Sequence, residues 1–180
     1  MYSIFPLLYS FILFFTIVVI CLYLIGQLRM TQKVEKCISI LENKLKTNQQ
    51  SSDNLYKLGQ IYLRKNFYEK AITLFRQSLT NWNINDKIGL GSLYNTLGFT
   101  YFKLKQYEYA KYYYLQAVKL LPDYTLALTN LGLLYEINKM YFEAYKTYGV
   151  VLNYERNNKI ACYRINLVEE KMKLIRDGRI

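Results

Sequence analysis

The sequence contains no histidine and has only three cysteines and two prolines among its 180 residues. Without histidine, the chain lacks the commonest general base and the Ser-His and Cys-His nucleophile systems. Cys21, Cys37 and Cys162 are widely spaced and form no CxxC pair, which argues against a zinc site and favours thiols in a reducing compartment. There is no glycine-rich phosphate loop, and the acidic pair Glu169–Glu170 points to different sides of a helix. We therefore expect no catalytic activity, no cofactor and no metal.

The chain also lacks a block of like charges, although its formal net charge is +11. A basic balance that is spread along the chain favours solubility or attraction to an anionic membrane surface, and we expect no nucleic-acid partner. Hydrophobic residues make up 52% and charged residues 21% of the sequence. This composition is too apolar for a disordered chain and indicates a folded domain with an appendage.

The first 28 residues contain no charged side chain, and they predict a transmembrane anchor over residues 1–28. As a helix, residues 4–25 would be about 33 Å long, which is enough to span the hydrocarbon core of a lipid bilayer. A cleaved signal peptide is the alternative, as is a buried core helix. The run has no basic segment before it, is longer than the apolar part of a signal peptide and has no A-x-A-like cleavage site after it.

Basic residues follow the apolar run, while the other flank offers none. The positive-inside rule therefore places the C-terminal body on the cytoplasmic side or its organelle equivalent. Residues 29–51 predict a juxtamembrane amphipathic helix and a linker. The apolar positions of this helix are spaced by four, three and four residues, so it packs on the repeats or pairs with another copy. They are Val34, Ile38, Leu41 and Leu45. The polar stretch 47–54 reads as the linker.

Residues 91–124 carry the pattern of one tetratricopeptide repeat, a helix–turn–helix unit of ~34 residues. The matching positions are Tyr94, Leu97, Gly98, Tyr101, Ala110, Tyr114, Ala117 and Pro122. Glycine and alanine are small where the two helices approach each other, and proline ends the unit. The same offsets recur around Gly59 and Gly132, so residues 52–158 resemble three tetratricopeptide repeats, at 52–85, 91–124 and 125–158. The first and third copies lack the proline.

The first two repeats are separated by a short insertion at residues 82–90, for which two structures are open. It forms a longer loop, or it forms an extended helix start capped by Asp86. Residues 159–180 predict a capping helix and a tail, with Ile165, Val168, Met172 and Ile175 on one face. The fold class is therefore all-α: an N-terminal transmembrane helix, an α-α superhelix of three repeats and a C-terminal capping helix.

The resemblance implies that the first helix of each repeat lines a concave groove that binds an extended peptide or an apolar helix of a protein partner. In that geometry, one set of positions faces the groove, and some of its members could instead pack between repeats. The candidate groove residues are Tyr56, Gln60, Leu63, Arg64, Asn95, Phe99, Phe102, Lys103, Thr129, Leu133, Glu136 and Ile137.

Some tetratricopeptide domains grip the acidic C-terminus of heat-shock chaperones with a Lys/Asn/Asn/Lys/Arg cluster in this groove. Four of the five matching positions differ here, so the sequence argues against that carboxylate clamp. The five positions hold Tyr56, Gln60, Asn95, Leu126 and Asn130.

The whole arrangement resembles a family of small plastid-encoded and cyanobacterial membrane proteins, the Ycf tetratricopeptide proteins implicated in photosystem I assembly. Frequent Tyr, Phe, Ile, Asn and Lys, which AT-rich codons encode, agree with a plastid gene. The resemblance implies a single-pass protein of the plastid (chloroplast) thylakoid membrane, held in the bilayer by residues 4–25. Its repeats would face the stroma and bind photosystem I subunits or assembly intermediates. The alternatives are a bacterial inner-membrane adaptor for envelope or secretion machinery, with cytoplasmic repeats, and an organelle import or fission receptor.

Overall fold

The computed structural model of the chain describes residues 4–46 and 51–178. These residues form eight helices and separate into two compact units, residues 1–49 and residues 50–180. The helices are α1 (Ile4–Lys46), α2 (Ser52–Arg64), α3 (Tyr68–Thr80), α4 (Lys87–Lys103), α5 (Tyr107–Leu120), α6 (Thr125–Ile137), α7 (Tyr141–Tyr154) and α8 (Lys159–Arg176). The all-α class, the long apolar N-terminal helix and the paired repeat helices are confirmed.

The first unit consists of α1, which runs through the predicted boundary after residue 28 without a break. The segments predicted as anchor and juxtamembrane helix therefore belong to one helix of 43 residues. Its apolar side chains between Leu7 and Leu28 are exposed in the chain, as expected of a surface that contacts lipid. Within the described residues, α1 is long and apolar enough to cross a membrane. Residues 47–50 of the predicted linker and residues 179–180 of the tail lie outside the described residues. The linker prediction is wrong for residues 52–54, because α2 begins at Ser52.

The second unit is a stack of helix pairs, in which α2 packs on α3, α4 on α5 and α6 on α7. Each pair then packs on the next through its second helix, and the last of these contacts is α7 with α8. The first helices form a layer of their own, because α4 contacts α6 and α6 contacts α8. This layer carries the candidate groove residues.

The two helices of each pair are connected by three residues, and the second of these has a left-handed backbone conformation. Asn66, Lys105 and Lys139 have φ values of 62°, 59° and 58°. In the first turn the amide of Phe67 donates to the carbonyl of Tyr62, and the other two turns repeat this hydrogen bond. Such a bond satisfies a carbonyl at the end of the helix, which is the purpose of a Schellman motif. The same turn therefore occurs between the two helices of each of the three repeats.

A glycine in the first helix of each pair admits an aromatic ring from the second helix. A Cβ atom added to Gly98 would lie 2.6 Å from the Tyr114 ring, which is far inside van der Waals contact. Gly59 faces the Phe75 ring in the same way, and Gly132 faces the Tyr148 ring. Because the three rings are buried, this contact forms the centre of each repeat.

The insertion between the first two repeats forms an extended helix start, so the structure selects one of the two alternatives. Helix α4 begins at Lys87, and the Asp86 carboxylate accepts a hydrogen bond of 2.9 Å from the amide of Gly89. The same carboxylate accepts 3.2 Å from Nε1 of Trp82, whose ring meets the Tyr56 ring edge-on. Asp86 therefore joins the early start of α4 to the end of the first repeat.

We expect Asp86→Ala to lower the free energy of unfolding by about 1 kcal/mol, because the substitution leaves the first amides of α4 without a side-chain acceptor. Chemical denaturation of the wild type and the variant measures this difference. Asp123→Ala is the matched control, since Asp123 is also exposed in a connection between repeats but caps no helix. Equal losses in both variants would contradict the capping role.

The terminal helix α8 begins at Lys159 and is capped by Asn158, whose side chain accepts a hydrogen bond from the amide of Ala161. Val168 is buried on its inner face, and Ile165 and Met172 pack against the same core cluster. The prediction for Ile175 is wrong, because this side chain is 47% exposed near the C-terminal end of α8. The inner face of the helix is thus shorter than the sequence spacing suggested.

Candidate partner-binding groove

An open pocket of about 320 Å³ lies on the layer of first helices, between α2, α4 and α6. Five of the candidate groove residues line it, together with three further side chains. The lining residues are Gln60, Leu63, Arg64, Asn95, Thr96, Phe99, Leu126 and Asn130. The structure therefore brings together residues that are as much as 70 positions apart in the sequence.

The lining combines apolar contact area with groups that can form hydrogen bonds. Leu63, Phe99 and Leu126 supply aliphatic and aromatic surface, and Leu126 is 53% exposed. Gln60 makes no hydrogen bond to any other part of the described chain, and Arg64 is the single cationic side chain among the eight. An apolar surface with a few available polar groups is the usual composition of a site that binds another molecule.

Asn95 and Asn130 hold two sides of the pocket together. The Asn130 amide donates a hydrogen bond of 2.9 Å to Oδ1 of Asn95, and Nδ2 of Asn95 donates 3.5 Å to the Tyr124 hydroxyl. Burial raises the pKa of Tyr124 above its ordinary value, so this hydroxyl stays protonated at neutral pH. Asn95 is thus occupied by internal partners, whereas within the described residues the side-chain carbonyl and the second N–H of Asn130 have no partner.

Tyr56 lies at the contact between the first two repeats. Its hydroxyl is 3.1 Å from Oγ of Ser92 and 3.2 Å from Oγ1 of Thr96, both on α4. Its ring packs 5.7 Å from the ring of Phe75. Tyr56 therefore joins α2 to α4, and it is not among the residues that line the pocket.

Phe102 and Lys103 end α4 beyond the pocket. The Phe102 ring is half-buried and lies 5.8 Å from the ring of Tyr107, across the turn of the second repeat. Nζ of Lys103 lies 5.1 Å from the centre of the Phe99 ring, so its positive charge borders the pocket. The two neighbours thus differ: one packs within its repeat, and the other contributes charge to the groove.

The four candidates on α6 have different surroundings. Thr129 donates to the carbonyl of Thr125 in its own helix, Leu133 is half-buried and Ile137 is 42% exposed. Glu136 is buried, accepts a hydrogen bond of 2.6 Å from the Tyr148 hydroxyl and lies 3.5 Å from Nη1 of Arg164. Glu136 therefore connects α6 to α7 and α8. None of the four candidates on α6 lines the pocket.

Tyr148→Phe should lower the free energy of unfolding by about 1.5–3 kcal/mol, because the buried Glu136 carboxylate loses a hydrogen bond from a protonated hydroxyl. Burial, followed by the neighbouring carboxylate, raises the pKa of Tyr148 well above its ordinary value. Urea unfolding of both proteins provides the measurement. Tyr154→Phe, at an exposed position of α7, should change stability by less than about 0.5 kcal/mol. A loss no larger than that of Tyr154→Phe would show that the bond to Glu136 is energetically unimportant.

Sequence reasoning overlooked Thr96 as a groove residue, and it considered Leu126 and Asn130 only as clamp positions. Thr96 follows Asn95, and Asn130 follows Thr129, so in α4 and α6 the groove face includes the next residue as well. Within residues 4–46 and 51–178, no group of three or more His, Cys, Asp or Glu side chains could hold a metal ion.

Comparison with known proteins gives the same fold and a close set of relatives. The family model for the tetratricopeptide repeat matches residues 50–123. The chain is 35% identical over 175 residues to the uncharacterized protein ycf37 of Guillardia theta, and the match covers 97% of each chain. It is 30% identical over 152 residues to the chloroplastic tetratricopeptide repeat domain-containing protein PYG7 of Arabidopsis thaliana, covering 84% of this chain and 50% of that protein.

Two solved structures share the arrangement of helices. The crystal structure of MamA matches with a TM-score of 0.72 at 22% identity, covering 81% of this chain and 82% of MamA. The first tetratricopeptide domain of Spaghetti (RPAP3), bound to the HSP90 peptide SRMEEVD, matches with a TM-score of 0.62 at 24% identity. That match covers 69% of this chain and 94% of the domain. At these identities the likeness shows the fold, and the second structure shows that a domain of this fold binds a peptide.

Proposed function

Because the chain belongs to the ycf37 family of tetratricopeptide repeat proteins, we propose that it is a membrane-anchored scaffold for the assembly or stability of photosystem I. The scaffold binds a segment of a photosystem I subunit or of an assembly intermediate in the groove formed by α2, α4 and α6. The anchor attaches the scaffold to the membrane in which the complex is built. The role is one of binding and not of catalysis.

The pocket between α2, α4 and α6 is the observation that carries this proposal. It presents apolar surface from Phe99 and Leu126 next to the available polar groups of Gln60, Arg64 and Asn130. The polar groups bind water until a ligand displaces that water. Covering the apolar surface with a ligand lowers the free energy of the complex. Both properties favour a protein segment as the occupant.

The cellular location is part of the proposal. The chloroplastic name of the Arabidopsis relative supports a plastid protein, and the exposed apolar side chains of α1 support a thylakoid anchor. Arg29, Lys33 and Lys36 follow the apolar stretch, so the repeats belong on the stromal side.

Affinity purification from detergent-solubilised thylakoid membranes tests the function. A tagged wild-type chain should enrich photosystem I subunits or assembly intermediates over an untagged host. The matched control is a tagged α1 alone, which keeps the anchor but lacks the groove. The proposal fails if the full chain enriches no photosystem I component, or if α1 alone enriches the same ones.

Protease added to intact thylakoid membranes should digest the repeats and leave a fragment that contains the apolar part of α1, because the stroma-facing side of intact thylakoids is accessible. Immunoblotting with tags at both ends follows the two parts. A lumenal protein from the same membranes serves as the control for integrity. Protected repeats in intact membranes would overturn the stromal orientation.

A further inference from the structure

We propose that the bound segment is an amphipathic helix that lies across α6 and α8 and places its C-terminal end in the pocket between α2, α4 and α6. This inference rests on the proposed function. It adds the conformation of the partner segment, its direction and the contribution of α8 to the groove.

Helix α8 presents an apolar face that its own fold does not cover. Ile160 and Tyr163 are 60% and 63% exposed, and Leu167 continues the same face one turn later. These residues stand one, four and eight places after the start of α8. In α6 the same places hold Leu126, Thr129 and Leu133, which belong to the groove layer. The groove surface therefore continues from α6 onto α8.

The polar residues of α8 lie on a different side. Asn166 and Lys173 are exposed where a further repeat would stack, which is the polar end that a solenoid requires. The Ile160–Tyr163–Leu167 face lies beside this polar end, on the groove side of α8. An exposed apolar face beside a polar one indicates a contact with another molecule.

This part of the groove favours a helix over an extended peptide. An extended backbone carries unpaired N–H and C=O groups that need partners when they are buried. The side chains of Ile137, Ile160 and Leu167 offer no such partner, and Tyr163 offers only its single hydroxyl group. A helix satisfies its own backbone and can place one apolar stripe on the apolar face.

The pocket, in contrast, suits the C-terminal end of that helix. The last four carbonyl groups of a helix lack partners within it, and this end carries a partial negative charge. Arg64, Gln60 and the free N–H of Asn130 can donate to these carbonyls. Within the described residues, Arg64 forms no ion pair, and Lys103 adds a second positive charge beside Phe99. The charge of the pocket therefore sets the direction of the bound helix.

The distance between α4 and α8 fixes how many residues of the partner segment lie between its two contacts. Neighbouring helices pack about 10 Å apart, so α4 and α8, with α6 between them, are roughly 20 Å apart. A helix covers this distance with about 13 residues, whereas an extended chain needs about six.

Site-specific photo-crosslinking in thylakoid membranes tests the proposal. The full chain carries benzoylphenylalanine in place of either Phe99 or Tyr163, and the cross-linked partner peptides are identified by mass spectrometry. We expect both positions to capture one segment of one protein. The sites reached from position 99 should lie about 13 residues C-terminal to those reached from position 163. The control position is Tyr112 on α5, which is 56% exposed and should not capture that segment.

Three results would contradict the proposed helical segment and its direction. They are a separation of about six residues, the opposite order along the partner, and capture of the segment from position 99 but not from position 163. Those results would leave the scaffold function intact. If neither position captures a protein and the tagged chain also enriches none, the proposed function itself fails.

A charge variant gives an independent readout. Arg64→Glu should weaken binding of the captured segment, supplied as a synthetic peptide, by about tenfold, because the negative end of the helix then meets a negative charge. Arg76→Glu, at an exposed position of α3, should leave the affinity unchanged. Equal affinities for wild type and Arg64→Glu would contradict the proposed direction.

Discussion

Tyr114→Ala should lower the free energy of unfolding of the repeat domain by about 3–5 kcal/mol. The Tyr114 side chain is 1% exposed and fills the space above Gly98 at the centre of the second repeat. Truncation removes the buried ring and leaves a cavity, which the packed helices α4 and α5 cannot fully close. The middle repeat contacts a neighbour on each side, so we expect the loss to reach the whole stack.

Tyr112→Ala is the matched control, because it removes the same side chain two residues earlier in α5. Tyr112 is 56% exposed and should cost less than about 1 kcal/mol. Circular dichroism during urea unfolding measures both variants. If the two losses were similar, the close contact between Gly98 and Tyr114 would not be the centre of the repeat.

Phe99→Ala should weaken partner binding by about 30-fold or more. It should lower the free energy of unfolding by less than Tyr114→Ala does. Truncation of a hot-spot residue at the centre of an interface costs about 2 kcal/mol or more of binding free energy, and Phe99 is a partly buried ring that lines the pocket. Titration of the captured partner segment onto the purified chain in detergent gives the affinity.

The comparison with Phe102→Ala makes this result specific. Phe102 is also a half-buried phenylalanine of α4, but it packs on Tyr107 and does not line the pocket. Its truncation should lower stability and leave affinity within about threefold of the wild type. Equal losses of affinity in the two variants would show that the pocket does not define the binding site.

Much of the fold could be predicted because each repeat depends on few local rules. Gly59, Gly98 and Gly132 mark the close helix contacts, and the rings opposite them follow at a constant offset. The left-handed turn residues were missed. Two of the three are lysines, which carry no sequence signal for that conformation, since glycine is the usual residue there.

The groove was harder to predict than the fold. The groove positions implied by the family resemblance included Gln60, Arg64 and Phe99, and these three side chains line one pocket in the structure. The resemblance could not foresee that Asn95 bonds to Asn130 and Tyr124, or that Glu136 is buried against Tyr148. Those contacts join residues from different repeats, and spacing within one helix contains no information about such pairs.

The most direct test of the account is the photosystem I content of thylakoids whose only copy of this chain carries Phe99→Ala. The light-induced absorbance change of the reaction-centre chlorophyll measures that content, and immunoblotting confirms that the variant accumulates in the membrane like the wild type. We expect photosystem I to fall towards the level found without the chain, while Phe102→Ala at equal accumulation retains more of it. A wild-type level of photosystem I in the Phe99→Ala host would contradict the claim that this groove serves its assembly.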